Sequence, residues 1–178
     1  PLRELVRRRS EGVPLQHLLG TVEFLEWTFA TDARALIPRP ETEQLVELVL
    51  KDPAWSVLWD IGTGSGVIAL TLDLKRPDAR ISAGDASPEA LSLARENAAR
   101  LLPEATAVET VESDLFDGLG DSRYDLIVAN LPYIPQSSET ALSREVLRDP
   151  PLALYGGETG LEVMERFLAA APGHLRPG

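Results

Sequence analysis

A chain of 178 residues, 44% hydrophobic and 25% charged, is long enough for one medium domain with its own core. Its formal net charge of −11 opposes extended contact with a nucleic-acid backbone, which calls for Lys and Arg to displace counterions. No cysteine is present, which excludes disulfides and thiolate metal sites, and no apolar run is long enough to span a membrane. There is no signal-peptide pattern. No metal site, no membrane association and no stable nucleic-acid binding are expected, and the expected location is the cytoplasm.

The Arg-rich segment RELVRRRS near the start reads as a solvated helix end. Residues 11–37 read as loop and hairpin, because TVEFLEWTFAT holds two short β-prone runs anchored by Phe24, Trp27 and Phe29. In PRPETEQLVELVLK, Pro40 suits a first helical turn and acidic residues follow it. Leu45, Val46, Val49 and Leu50 then form an apolar helical face.

From residue 57 strands and helices alternate. SVLWDIG reads as a buried strand and GVIALTLDLK as an amphipathic helix. ARISAGD is a second strand, and SPEALSLARENAARL a helix with Ser87 as N-cap and Pro88 at the first helical position. AVETVES is a third strand and YDLIVANL a fourth. GLEVMERFLAAAP is a helix with Leu161, Met164, Phe167 and Leu168 on one face. The order implies an α/β fold, a doubly wound and mostly parallel sheet preceded by a β-hairpin region. Ligands in such sheets sit outside the carboxyl ends of the strands. DIGTGSG, GD, ESD and ANLPY all fall there.

DIGTGSG places Gly62, Gly64 and Gly66 in a turn between strand and helix, where glycine permits close backbone approach. Val67 stands where a dinucleotide fingerprint needs its third glycine, and the Gly-Lys of a P-loop is also missing. Asp85 ends the next strand, where an acid accepts from both hydroxyls of a ribose. Asp114, after the third strand, suits an adenine amino group or, equally, a loop cap. Asp60 at the turn suits a ligand ammonium and would repel a pyrophosphate; its other reading is a strand-end acid bonded to the turn's own amides. An adenosine without phosphate is implied, and S-adenosyl-L-methionine fits, with S-adenosyl-L-homocysteine as its product. The expected cofactor set is Asp60, Gly62, Thr63, Gly64, Ser65 and Gly66, with Asp85, Ala86, Asp114, Leu115 and Asn130.

DIGTGSGVIAL, Asp85 and ANLPY resemble the class I S-adenosylmethionine-dependent methyltransferases. IPRPETEQLVE, GVPLQHLLG and DPPLALYGGETGL resemble segments of one group among them, the HemK/PrmC-type protein-glutamine N5-methyltransferases, which methylate peptide chain release factors. His17 stands where that group usually has Tyr, Asp149 where it has Glu, and Asn130-Leu131-Pro132-Tyr133 where it has Asn-Pro-Pro-Tyr. Asn-Leu-Pro-Tyr also occurs in ribosomal-RNA adenine dimethyltransferases. The resemblance implies residues 1–10 as the end of an N-terminal helical domain, 11–40 as a hairpin and linker region, and 41–178 as the catalytic domain. Both ends read as cuts, and the sheet is expected to lack its last strands. A monomer is expected.

Asn130, Leu131, Pro132 and Tyr133 form the expected catalytic and substrate-binding set. The Asn130 side-chain oxygen and the Leu131 carbonyl would accept from the NH₂ of a planar amide, Pro132 biases Leu131 toward an extended backbone, and Tyr133 would pack on the amide plane. An adenine amino group meets the same acceptors equally well, so N6-adenine methylation stands as the alternative, and a cofactor-binding module without activity as another. Arg39, Glu41 and Glu43 either line the cofactor site or tie the hairpin to the core, and the resemblance places Arg39 and Glu41 with the cofactor. Asp149-Pro150-Pro151-Leu152 reads as a decoy of the acceptor motif, His17 and His174 as structural, and Trp55 and Trp59 as core.

Overall fold

The computed structural model describes residues 2–102 and 108–177. Helix α1 (Leu2–Ser10) has no buried residue. Arg7 pairs with Glu4 and Glu11 along its surface, as a solvated helix does. The expected loop and hairpin of 11–37 contains an additional short helix, α2 (Leu15–Leu19), which ends at Gly20 in the left-handed conformation. Strands β1 (Thr21–Phe24) and β2 (Trp27–Ala30) form the antiparallel hairpin. Phe24 and Phe29 meet edge to face, with ring centres 6.0 Å apart.

Helix α3 (Pro40–Lys51) begins at Pro40 and buries Thr42, Val46 and Val49. Then come β3 (Val57–Ile61), α4 (Val67–Lys75), β4 (Arg80–Asp85), α5 (Pro88–Leu101), β5 (Glu109–Glu112) and β6 (Leu126–Ala129). The strands form one parallel sheet in the order β5-β4-β3-β6. The chain winds outward from β3 and then returns to its other side. Strand order therefore reverses between β3 and β6, where such a fold opens a crevice. The remainder is β7 (Ile134–Pro135), two 3₁₀ turns, α6 (Pro151–Leu154), β8 (Tyr155–Gly157) and α7 (Glu162–His174).

β3 separates two cores by the two-residue period of a strand. Leu58 packs with Phe24, Phe29, Val46 and α4 on one face. Trp59 and Ile61 pack with Phe116, Tyr124, Leu131 and Ala171 on the other. Two expectations need correction here. Helix α4 is not amphipathic, since Val67 through Asp73 are all buried between the sheet, α3 and α5. Its polar Thr71 and Asp73 are buried along with the apolar residues, so no side of this stretch is a solvated face. In α7 the inward residues are Val163, Phe167, Ala170 and Ala171, whereas Leu161, Met164 and Leu168 are exposed. Of the expected face only Phe167 packs inward, stacking on Phe116. The third strand is expected from Ala107, which lies outside the described residues; its described part is Glu109–Glu112. No helix among the described residues is long and apolar enough to cross a membrane.

Candidate active site

A cleft of about 280 Å³ opens at the carboxyl ends of the four sheet strands. Its floor is the turn after β3, in which Gly62, Gly64 and Gly66 all take left-handed φ values of 67°, 58° and 84°. A side chain at Gly62 or Gly64 would be strained at these φ values, although its Cβ would meet Leu131 or Ala35 only at an ordinary 3.8 Å, so the turn's backbone is what calls for glycine. Gly62, Thr63, Gly64 and Ser65 line the cleft. Gly66 does not; it lies behind the turn, where a Cβ would crowd Leu70 and Ala94 at 3.0 and 3.2 Å. Its part is close packing of α4 on α5.

Asp85 sits at the end of β4, on the cleft wall. One carboxylate oxygen accepts from Gly64 N at 2.9 Å and the other from Ser87 N at 2.9 Å. Ser87 itself caps α5 by accepting from Ala90 N, which leaves Asp85 free of the capping role. Burial raises the Asp85 carboxyl above its ordinary value, and the bonds from Ser87 and Gly64 partly offset this. Ala86 lines the cleft beside it. Asn97, unforeseen from the sequence, is wholly buried. It accepts from Ala30 N at 2.7 Å and donates to Ala30 O at 3.1 Å and Ser65 O at 2.9 Å, binding the hairpin to the glycine turn.

Asp60 is placed differently from the ligand-facing reading. Its position on β3 points it under α4, fully buried and off the cleft wall. Oδ2 accepts from Thr63 Oγ1 at 2.7 Å and Ala69 N at 3.2 Å, while Oδ1 has no partner among the described residues. Burial, with a smaller contribution from the Asp85 charge, pushes this carboxyl up to about 7. Asp60 serves the turn itself.

At the end of β5 the buried Ser113 hydroxyl donates to Leu115 O and accepts from Gly118 N, closing a tight loop. The loop holds Leu115 at φ 56°, a left-handed value costly for a side chain with a Cβ. Leu115 and Asp114 both line the cleft. Asp114 is joined at 2.8 Å by Arg166 of α7, a partner 52 residues away that the sequence did not signal.

The acceptor end follows β6. Asn130, Leu131 and Pro132 line the cleft; Tyr133, 65% exposed, stands outside its wall. Asn130 Nδ2 donates to Thr42 Oγ1 at 3.4 Å. Among the described residues, no group donates to Asn130 Oδ1 or to the Leu131 carbonyl. The Leu131 side chain is buried with Trp59 and Ile61.

Arg39 and Glu41 do not line the cleft. Arg39 pairs with the buried Asp149 at 2.7 Å, Glu41 is exposed, and Glu43 accepts from Leu25 N at 2.9 Å in the hairpin turn. The PRPETE segment thus ties the hairpin and the Asp149 loop to the core, and Pro38 and Thr42 are its contribution to the cleft. The decoy segment adds Pro150 and Leu152 to the wall, although neither resembles a ligand-binding residue in sequence. Trp55 and Trp59 are core residues. His174 stacks on Phe116 and its Nδ1 meets Ser122 O at 3.1 Å.

Residues 40–149 match a family model described as the methyltransferase small domain. The release factor glutamine methyltransferase of Deinococcus radiodurans is 46% identical over 176 residues, covering 97% of this chain and 62% of the relative. That of Geobacter sulfurreducens is 43% identical over 178 residues, covering 99% and 62%. The chain therefore spans about three fifths of the length of these relatives. A methyltransferase structure from Pyrococcus furiosus superimposes with a TM-score of 0.58 at 21% identity, over 84% of this chain and 64% of that one, which is a likeness of fold. With its model spanning the sheet from α3 to the Asp149 loop, the chain belongs to the methyltransferase small-domain family.

Proposed function

We propose that the cleft holds S-adenosyl-L-methionine and that the chain transfers a methyl group from it to the side-chain amide nitrogen of a glutamine in a protein, a peptide chain release factor. The observation that carries this reading is that Asn130 and Leu131, whose side-chain oxygen and carbonyl respectively accept no hydrogen bond among the described residues, line the same cleft as the glycine turn. The similarity to release factor glutamine methyltransferases supports the substrate class. The net charge of −11 favours a protein over a nucleic acid. Residues 41–178 are proposed as the catalytic domain, against which 11–40 pack.

The residues present fit the cofactor. The only cationic side chains on the described wall, Arg34 and Arg166, are already paired with Asp32, Glu96 and Asp114, so a pyrophosphate would find no free cation. Asp85 and Asp114 offer carboxylates suited to ribose hydroxyls and an adenine amino group. Gly62 and Gly64 leave the floor open to close approach. When bound, S-adenosylmethionine supplies an electrophilic methyl group on a sulfonium.

The chain's own part is orientation. An amide nitrogen is a poor nucleophile because its lone pair is delocalised into the carbonyl. Asn130 Oδ1 and the Leu131 carbonyl accept its two N–H bonds and thereby aim the lone pair. Each neutral bond contributes only about 0.5–1.5 kcal/mol net, whereas placement contributes about 7–11 kcal/mol in favourable cases. The same acceptors oppose the oxygens of a glutamate, an arrangement that discriminates by roughly 10⁴-fold or more. Tyr133, exposed at the rim, is free to pack on the amide plane. No protein base is needed, since the methylated nitrogen becomes acidic and loses its proton to solvent. A labelled-methyl assay offering release factor, ribosomal protein and RNA side by side tests the reading. Label in the release factor is expected; label in RNA alone would transfer the site to adenine.

A further inference from the structure

The acceptor segment is anchored at both ends. Upstream, Ala129 is held in the sheet opposite Ile61. Downstream, β7 pairs in parallel with β8, Ile134 opposite Tyr155 and Pro135 opposite Gly157. Between the anchors Pro132 fixes its own φ and restricts Leu131, so few torsions remain to decide where the Leu131 carbonyl and the Asn130 amide point.

Two glycines close the remaining freedom. A Cβ at Gly156 would stand 2.5 Å from the Pro132 carbonyl oxygen and closer still to that of Gly160. Gly156 has no left-handed φ, so close approach alone requires glycine there. A Cβ at Gly160 would clash with the Tyr133 carbonyl oxygen and come within 3.0 Å of Pro135 N. Glu162 secures this contact, because its carboxylate accepts from Thr159 N at 2.9 Å and Gly160 N at 3.1 Å.

We infer that Gly156, Gly160 and Glu162 are positioning residues: they hold the backbone at Pro132 and Tyr133 so that Asn130 and Leu131 present their oxygens to the substrate amide. The inference rests on the glutamine-amide reading above. Its cause is backbone-to-backbone contact, which a side chain would prise open.

The test compares Gly156→Ala, Glu162→Gln and Gly120→Ala in the 178-residue chain. Gly120 has φ 54° and no atom within 4 Å of an added Cβ, so Gly120→Ala strains the backbone without touching the acceptor segment. Displacing the acceptors by about an ångström should lower kcat roughly 10²-fold in Gly156→Ala. Loss of the charged acceptor should lower it roughly tenfold in Glu162→Gln. KM for S-adenosylmethionine should stay within about twofold in both, and Gly120→Ala should keep the parent kcat. The Asn130 side-chain NH₂ resonances in isotope-labelled amide spectra should move in the first two variants and not in the third. That readout needs no activity. If the parent methylates no release factor, the glutamine reading falls while the resonances still decide the positioning. Parent-like kcat and unmoved Asn130 resonances in Gly156→Ala overturn the inference. Should that variant not fold, Glu162→Gln, which adds no heavy atom, decides by the same readouts.

Discussion

Asn130 Nδ2 donates to the Thr42 hydroxyl at 3.4 Å, joining the end of β6 to the first turn of α3. A hydroxyl both donates and accepts, so Thr42 can serve either end of the amide; in the orientation the structure shows, nitrogen meets Thr42 and oxygen is the end left for a ligand. Thr42→Val keeps the shape and removes the acceptor. It should lower kcat for glutamine methylation roughly tenfold, the worth of one such bond. Calorimetry should show parent-like S-adenosylmethionine affinity, and Thr42→Ser should restore the rate. Equal loss of binding and rate would make Thr42 a cofactor residue instead.

Asp85 bonds both Gly64 N and Ser87 N. Asp85→Ala takes a charged acceptor from the turn and from the ribose position together. Two charge-assisted bonds at about 1.5 kcal/mol each predict roughly 10²-fold weaker S-adenosylmethionine binding. Calorimetry on the folded variant measures this. Affinity equal to the parent's would remove Asp85 from the cofactor set.

Asn97→Leu leaves Ala30 N, Ala30 O and Ser65 O without partners in a dry interior. A loss of roughly 3 kcal/mol is expected in a denaturant titration. An unchanged midpoint would mean that water replaces the amide.

Asp60 has a sign that is easily mistaken. Its folded-state carboxyl titrates at about 7 against an ordinary 3.8. Between these values the folded chain keeps a proton that the unfolded chain has released. Stability from this group is therefore full below about pH 4 and is lost as pH rises to about 7. Asp60→Asn should reduce that fall and melt above the parent at about pH 8, as thermal unfolding at several pH values would show. A melting difference between Asp60→Asn and the parent that does not grow between about pH 4 and 8 contradicts the assignment.

The sheet, the helix order and the strand-end cluster were legible because they rest on local patterns: period-two runs, a Ser-Pro cap at Ser87 and Pro88, and a glycine turn at strand's end. What escaped depended on distant partners or on one-residue rotations. Arg39 pairs with Asp149, 110 residues on, and nothing near either residue announces it. Glu41 and Thr42 are neighbours in sequence, yet a helix turns about 100° per residue, so one is exposed and the other reaches the cleft. Apolar residues occur on both sides of α7, and only the position of the sheet selects Val163 and Phe167 over Met164 and Leu168. The left-handed Leu115 follows from the Ser113 loop, not from any preference of leucine.

Locating the transferred methyl tests the role of Asn130 most directly. Parent chain and Asn130→Ala are each incubated with release factor and labelled S-adenosylmethionine, and the modified peptide is sequenced by mass spectrometry. The parent should place the label on a glutamine side chain. Asn130→Ala should place none while still binding S-adenosylmethionine in a parallel titration. Label on another residue type, or undiminished glutamine methylation by Asn130→Ala, would contradict an amide clamp at the end of β6.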